Sequence, residues 1–152
     1  PDVDVIIVPI GGGSGASGAC IVAKSINPDV KVIGVQSEEA PAVYLSWKEG
    51  EVVQAPMRSH AEGLATGSGY QTTLDILTKK LDDFVLVSDD EMDRAVILHL
   101  ENTHNLTEHA GAASLAGALK IKDELAGKKV VLIMSGGNVS IQQLKEALEK
   151  HT

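Results

Sequence analysis

Val5-Ile6-Ile7-Val8-Pro9-Ile10-Gly11-Gly12-Gly13-Ser14-Gly15-Ala16-Ser17-Gly18 reads as a strand that stops at a glycine-rich loop and passes into a helix. Its near-continuous apolar run is the pattern of a strand covered on both faces, as in a parallel sheet. Glycines lack Cβ, so consecutive backbone N–H groups can turn inward. The helix start then adds unpaired amides and the positive end of its dipole. The stretch therefore predicts an anion cup that suits a phosphate without any lysine or arginine.

Outward from this loop, strands and helices alternate. The first strand is expected over Val3 to Ile10 and the helix after the loop over Ala16 to Ile26, ended near Asn27-Pro28. Lys31 to Val35 follows as a second strand, then a short helix from Ala40 to Lys48 closed at Gly50. Glu51 to Gly69 is turn-rich, broken by Pro56, Gly63, Gly67 and Gly69, and long loops of this kind often carry function. Gln71 to Leu81 is helical and Phe84 to Val87 is a third strand. Ser88-Asp89-Asp90-Glu91 reads as a capping box opening a helix through about Asn102. Another helix spans Glu108 to Leu125, its Ala- and Gly-rich early turns allowing close packing. Lys129 to Met134 is the fourth strand, and it leads through Ser135-Gly136-Gly137-Asn138 to a last helix from Ser140 to Lys150.

This alternation predicts an α/β fold, an open, mostly parallel four-stranded sheet with helices on both faces and right-handed crossovers, in a single domain or fragment over residues 1–152. All loops leaving the C-terminal strand ends then share one edge, where open α/β sheets bind ligands. The Gly11 to Gly15 loop and the Ser135 to Asn138 turn are expected to face one cleft. The start at Pro1-Asp2-Val3-Asp4, without methionine and already next to a strand, reads as the interior of a longer polypeptide.

Composition narrows the function. At 152 residues, 43% hydrophobic and with mean hydropathy +0.06, the chain can bury a core. A net charge of -8 and 3% aromatic content argue against nucleic acid, which calls for clustered cations and stacking rings. The sequence contains no apolar run of the roughly 20 residues that would span a bilayer. A cytoplasmic location with no membrane partner is expected. The one cysteine, Cys20, excludes an internal disulfide and a multi-cysteine zinc site, and it reads as a small buried side chain. His60, His99, His104, His109 and His151 lack helix-face ligand spacing, so they are expected to be surface or supporting residues. Trp47 and Met57 read as packing residues. No metal site is predicted.

The loop itself admits more than one phosphate. Gly13 and Gly18 have the separation of a nucleotide loop, but Ala19-Cys20 stands where Lys and Ser/Thr are required. Gly13-x-Gly15-x-x-Gly18 satisfies a dinucleotide fingerprint, yet the acidic residue expected after the second strand is Gln36, with Glu38 and Glu39 too late.

Five motifs in colinear order point elsewhere: Val8-Pro9-Ile10-Gly11-Gly12-Gly13-Ser14-Gly15, Val32-Ile33-Gly34-Val35-Gln36, Ala61-Glu62-Gly63-Leu64-Ala65, Glu108-His109-Ala110-Gly111-Ala112-Ala113 and Met134-Ser135-Gly136-Gly137-Asn138. Together they cover the chain and resemble the C-terminal half of the threonine dehydratase and serine racemase family. These are pyridoxal 5'-phosphate enzymes of the tryptophan-synthase-β-like fold, also called fold type II, and the chain matches part of their large domain. The resemblance implies that Gly11, Gly12, Gly13, Ser14 and Gly15 hold the cofactor phosphate. It also implies that Ser135, with Gly136 beside it, meets the pyridine nitrogen. A neutral hydroxyl at that nitrogen suits β-elimination better than transamination. Gly63, with Glu62 beside it, matches a cleft glycine, and Glu108 matches a glutamate near the cofactor ring, followed here by His109 where the family has Pro. Read without the resemblance, Glu108 is a helix-start carboxylate and Ser135 a turn serine or helix cap.

The resemblance implies a threonine/serine dehydratase that eliminates water from a small hydroxyamino acid and releases ammonia and a 2-oxo acid, acting as a homo-oligomer when complete. Serine racemase or a cysteine-synthase-like enzyme, though the latter usually has a Gly-Thr-Gly-Gly-Thr loop, is the alternative within the fold. A non-catalytic phosphate- or cofactor-binding module or a Rossmann-type dinucleotide domain is the alternative outside it. Two family features have no counterpart. The cation-binding acids of some members fall at Gln36 and Ala42, and the cofactor-linking lysine belongs to a preceding segment. The chain's own lysines all read as solvated, so this chain alone is expected to be inactive and to need the remainder of its polypeptide.

Overall fold

The computed structural model describes residues 2–151. Its elements run β1 (Val5–Pro9), α1 (Ser14–Ile26), β2 (Lys31–Ser37), α2 (Ala42–Glu49), α3 (Gln71–Lys80), β3 (Asp83–Val87), α4 (Asp89–Thr103), α5 (His109–Lys120), β4 (Val130–Leu132) and α6 (Ile141–His151). The four strands form one parallel sheet in the order β3-β2-β1-β4.

Side chains alternate across this sheet, as strand geometry requires. Val5, Ile7, Ile33, Val35 and Val87 face α4 and α5 in one buried cluster, with Leu144 of α6 packed against it. Val8, Ile10, Val32 and Phe84 face α1, α2 and α3 in the other. Cys20 is fully buried in that second layer, and burial, followed by the nearby Asp82 carboxylate, pushes its thiol up to about 11. Trp47 packs on Phe84 with ring centroids 5.8 Å apart and donates its indole N–H to Leu77 O. Met57 does not pack as expected, being 59% exposed on the long loop.

Element boundaries depart from the sequence reading where tertiary partners intervene. Helix α1 begins at Ser14, so Ser14 and Gly15 belong to its first turn. Strand β2 runs on to Ser37 because β3 pairs with it as far as Ser37 and Val87. Helix α5 stops at Lys120, and residues 121–127 continue as turns closed by Glu124 N to Ile121 O and Leu125 N to Lys122 O. Strand β4 is short because Ile133 N still donates to Ile7 O, but the next bond of the ladder would need an N–H at Pro9, which has none. Ser114 Oγ donates to Ile133 O, and Gly136 O accepts from Glu108 N. The capping box forms as expected, with Ser88 Oγ accepting from Glu91 N and Glu91 Oε2 accepting from Ser88 N. Among the described residues no helix is long and apolar enough to cross a membrane.

Candidate active site

The glycine loop leaves β1 at the C-terminal edge of the sheet, and its conformation depends on missing side chains. Gly13 adopts φ 90°, a left-handed conformation that L side chains rarely adopt, and serves as the N-cap of α1. No side chain caps this helix start, so the first amides of α1 keep their donor capacity. A Cβ on Gly11 would collide with the carbonyl oxygen of Gly63. Helix α3 holds the loop from below: Thr73 Oγ1 donates to Gly12 O at 2.8 Å, and a Cβ on Gly13 would meet Thr73 and Leu77 at 3.1 Å. Ser14 has no positive φ and is exposed, so the departure from glycine there carries no backbone strain.

The Ser135-Gly136-Gly137-Asn138 turn sits beside that loop. Ile7 of β1 pairs with Leu132 of β4, and Gly11 and Gly136 each stand four residues further along their chains. Thr107 Oγ1 and the Glu108 backbone N–H both donate to Gly136 O, at 2.9 and 3.1 Å. A Cβ on Gly136 would collide with the Glu108 carboxylate, and one on Gly63 would lie 3.6 Å from Glu108 Oε1. Thus Gly11, Gly63, Glu108 and Gly136 form one contiguous wall, although they come from three loops and a helix start. Ser135 lies exposed at its rim.

Glu108 occupies the N-cap position of α5, but its side chain makes no capping hydrogen bond. Instead it lines a polar cavity of about 460 Å³ together with His60, Glu62, His109 and Asn138. No lysine lines this cavity among the described residues; all lysines are exposed except Lys24, which is half-buried and bonded to Val30 O and Asp82. Gln36, fully buried, accepts from Tyr44 N and donates to Thr66 Oγ1, so the position is taken up in fixing the long loop.

The fold also gathers residues that spacing did not connect. His109 is buried, and its Nε2 lies 3.1 Å from Asp93 Oδ1; His60 Nε2 approaches the same oxygen at 3.0 Å. Burial alone would raise the Asp93 pKa, but hydrogen bonds from His109 and Lys150 outweigh it and hold the carboxyl down at about 2. His99 is buried on α4, which lowers its pKa. These three residues come from one loop and two helices, so no local period marks them. The capping box that begins α4 was the only nearby signal.

Over residues 1–136 the sequence matches the family described as pyridoxal-phosphate dependent enzyme. The chain belongs to that family. Among its relatives, the L-threonine ammonia-lyase of Thermotoga maritima is 36% identical over 151 residues, covering 99% of this chain and 37% of that protein. The serine racemase of Dictyostelium discoideum is 38% identical over 152 residues, covering 97% and 47%. Its crystal structure superposes with TM-score 0.85 at 37% identity over 92% of this chain and 45% of that one. The processed form of threonine deaminase isoform 2 from Solanum lycopersicum superposes with TM-score 0.92 at 28% identity, covering 97% and 44%. The chain therefore spans less than half the length of these relatives. As a member of the pyridoxal-phosphate family it has a fold type II architecture and pyridoxal 5'-phosphate as its cofactor, and the dinucleotide reading of the glycine loop falls away.

The residues present fit that cofactor. A phosphate ester needs close backbone approach and unpaired N–H donors, and the side-chain-free Gly11 to Gly13 loop at an uncapped helix start offers both. Ser17 Oγ, one turn into α1, is buried with no hydrogen-bond partner among the described residues and is a further polar group near the loop that sequence reading did not single out.

Proposed function

We propose that this chain forms the phosphate- and ring-binding part of a threonine/serine ammonia-lyase. The observation that carries the proposal is the contiguous wall of Gly11, Gly63, Glu108 and Gly136 at the C-terminal sheet edge, next to an uncapped helix start.

In this reading, pyridoxal phosphate supplies an electron sink that makes the α-proton of a bound amino acid removable. The backbone amides of Gly11, Gly12, Gly13, Ser14 and Gly15 bind the phosphate, helped by the α1 dipole. The Ser135 hydroxyl would meet the ring nitrogen as a neutral partner, which would favour its unprotonated form. Gly63, having no side chain, would let its backbone lie close to the ring. Glu108, with its carboxylate against Gly136 and Gly63, is positioned to accept a proton or hydrogen bond from the ring side of the cleft. The lysine that links cofactor to protein and the loop that holds the substrate carboxylate are assigned to polypeptide outside residues 1–152, since the lysines among the described residues are exposed, except Lys24, which is bonded to Val30 O and Asp82.

The test is turnover by the protein as it occurs in the cell, purified and supplied with pyridoxal phosphate. The expected result is ammonia with 2-oxobutanoate from L-threonine or pyruvate from L-serine. Formation of D-serine without ammonia would favour the racemase reading. Absence of both would overturn an amino-acid lyase function.

A further inference from the structure

We propose that His60, Asp93 and His109 form a binding site for one divalent transition-metal cation of the Zn2+ class, tying the long loop to α4 and α5. This site is separate from the glycine loop and from Gln36, and it does not rest on the proposed reaction.

Spacing is the first support. His60 Nε2 and His109 Nε2 lie 3.0 and 3.1 Å from the same oxygen, Asp93 Oδ1, and one ligand atom from each residue falls within 4.8 Å of the others. A cation held by imidazole and carboxylate at about 2.0–2.1 Å keeps tetrahedral ligand atoms about 3.3 Å apart. Small rotations would bring the three atoms onto one ion. Without an ion, Asp93 Oδ1 faces the Nε2 atoms of both imidazoles; a cation would use both nitrogen lone pairs.

The surroundings supply an independent support. Metal-bound histidines commonly donate their other ring N–H to a carboxylate, which sets tautomer and orientation. His60 Nδ1 faces Asp89 Oδ2 at 3.3 Å. Asp89 is itself held by Ser59 Oγ at 2.6 Å, Ser37 Oγ at 3.2 Å and the His60 backbone N–H at 2.9 Å. On the other oxygen of Asp93, Lys150 Nζ bonds Oδ2 at 3.2 Å and leaves Oδ1 to the histidines. The ligand carboxylate thus has a bonded partner in Lys150, and the His60 imidazole faces a carboxylate that is itself held in place.

Burial, charge and access agree. The Asp93 and His109 side chains are 9% and 5% exposed, whereas that of His60 is 45% exposed. His60 and His109 line both the 460 Å³ cavity and an adjoining one of about 270 Å³, so an ion has a route in and a free coordination position beside Gln143. Three carboxylates of α4 meet here: Lys150 pairs with Asp90 and Asp93, whereas Asp89 pairs with His60. Two imidazoles with one carboxylate suit zinc and its neighbours rather than magnesium or calcium, which prefer all-oxygen sets. Occupancy would brace residues 59–64, and with them the Gly63 backbone beside Glu108.

The purified protein, stripped with a chelator, is titrated with Zn2+ by calorimetry and with Co2+ by visible absorbance. One equivalent is expected to bind saturably, with d–d bands for cobalt. His60→Ala, a change at a half-exposed loop position, and the shape-preserving Asp93→Asn are each expected to weaken Zn2+ binding at least about tenfold. Asp89→Asn is expected to weaken it roughly 10–100-fold. His104→Ala, at an exposed residue outside the cluster, is expected to leave binding unchanged, and circular dichroism checks that each variant is folded. No saturable binding of either metal, or binding equal in wild type and His60→Ala, overturns the proposal.

Discussion

Gly11 has no room for a side chain, because its Cβ would run into the Gly63 carbonyl. Gly15, four residues on, has nothing within 4 Å of an added Cβ. Gly11→Ala is therefore expected to cost about 1–3 kcal/mol of stability and to weaken pyridoxal phosphate binding. Gly15→Ala, within the first turn of α1, is expected to be neutral or to gain up to about 1 kcal/mol. Urea denaturation and cofactor titration of the two variants check this contrast. Cys20 gives a second prediction at this scale. Its thiol is raised to about 11 by burial first and by Asp82 second, so it stays protonated in the folded protein at pH 8. Alkylation at pH 8 is expected to be negligible in the native protein and rapid after unfolding. The linkage has a definite sign: the proton is retained in the folded state and lost from the unfolded one between about pH 9 and 11, so this thiol's contribution falls as pH rises through that window. The glycine loop between β1 and α1 and the burial of Cys20 were legible in the sequence because they are decided locally. The contact of Glu108 with Gly63 and Gly136 was not, and only the family resemblance set those residues side by side.

At the scale of elements, the sequence marks most clearly those features that a few consecutive residues decide. Ser88 and Glu91 are three apart and bond each other's backbones, so the start of α4 can be read directly. Ser88→Ala is expected to destabilise the protein by about 1 kcal/mol, measured as a lower denaturation midpoint with an unchanged slope. Helix ends set by tertiary contacts were harder to read. The sequence reading carries α5 on to Leu125, but Ile121 and Leu125 pack against the core and the chain tightens into turns after Lys120. Likewise the apolar run at residues 129–134 outlasts β4, because Pro9 has no N–H for Ile133 O, which accepts from Ser114 Oγ instead, and α5 captures the turn that follows.

For the whole molecule, alternation along the chain and buried strand character gave the parallel sheet, whereas the order β3-β2-β1-β4 depends on crossovers that no window of sequence reveals. That order is what puts β1 beside β4 and so brings the glycine loop to the Ser135 turn. The same long-range assembly brings His60 and His109 to Asp93 from separate elements, a proximity that histidine spacing along the chain does not show. The central claim is that the cleft between β1 and β4 holds pyridoxal phosphate by these residues. A crystal structure of the cofactor-bound protein tests it most directly. The predicted result is a phosphate within hydrogen-bond distance of the Gly11 to Gly15 amides, with the ring nitrogen on the Ser135 hydroxyl and the linking lysine outside residues 1–152. A phosphate bound elsewhere, or a cofactor linked to one of the lysines within these residues, would contradict it.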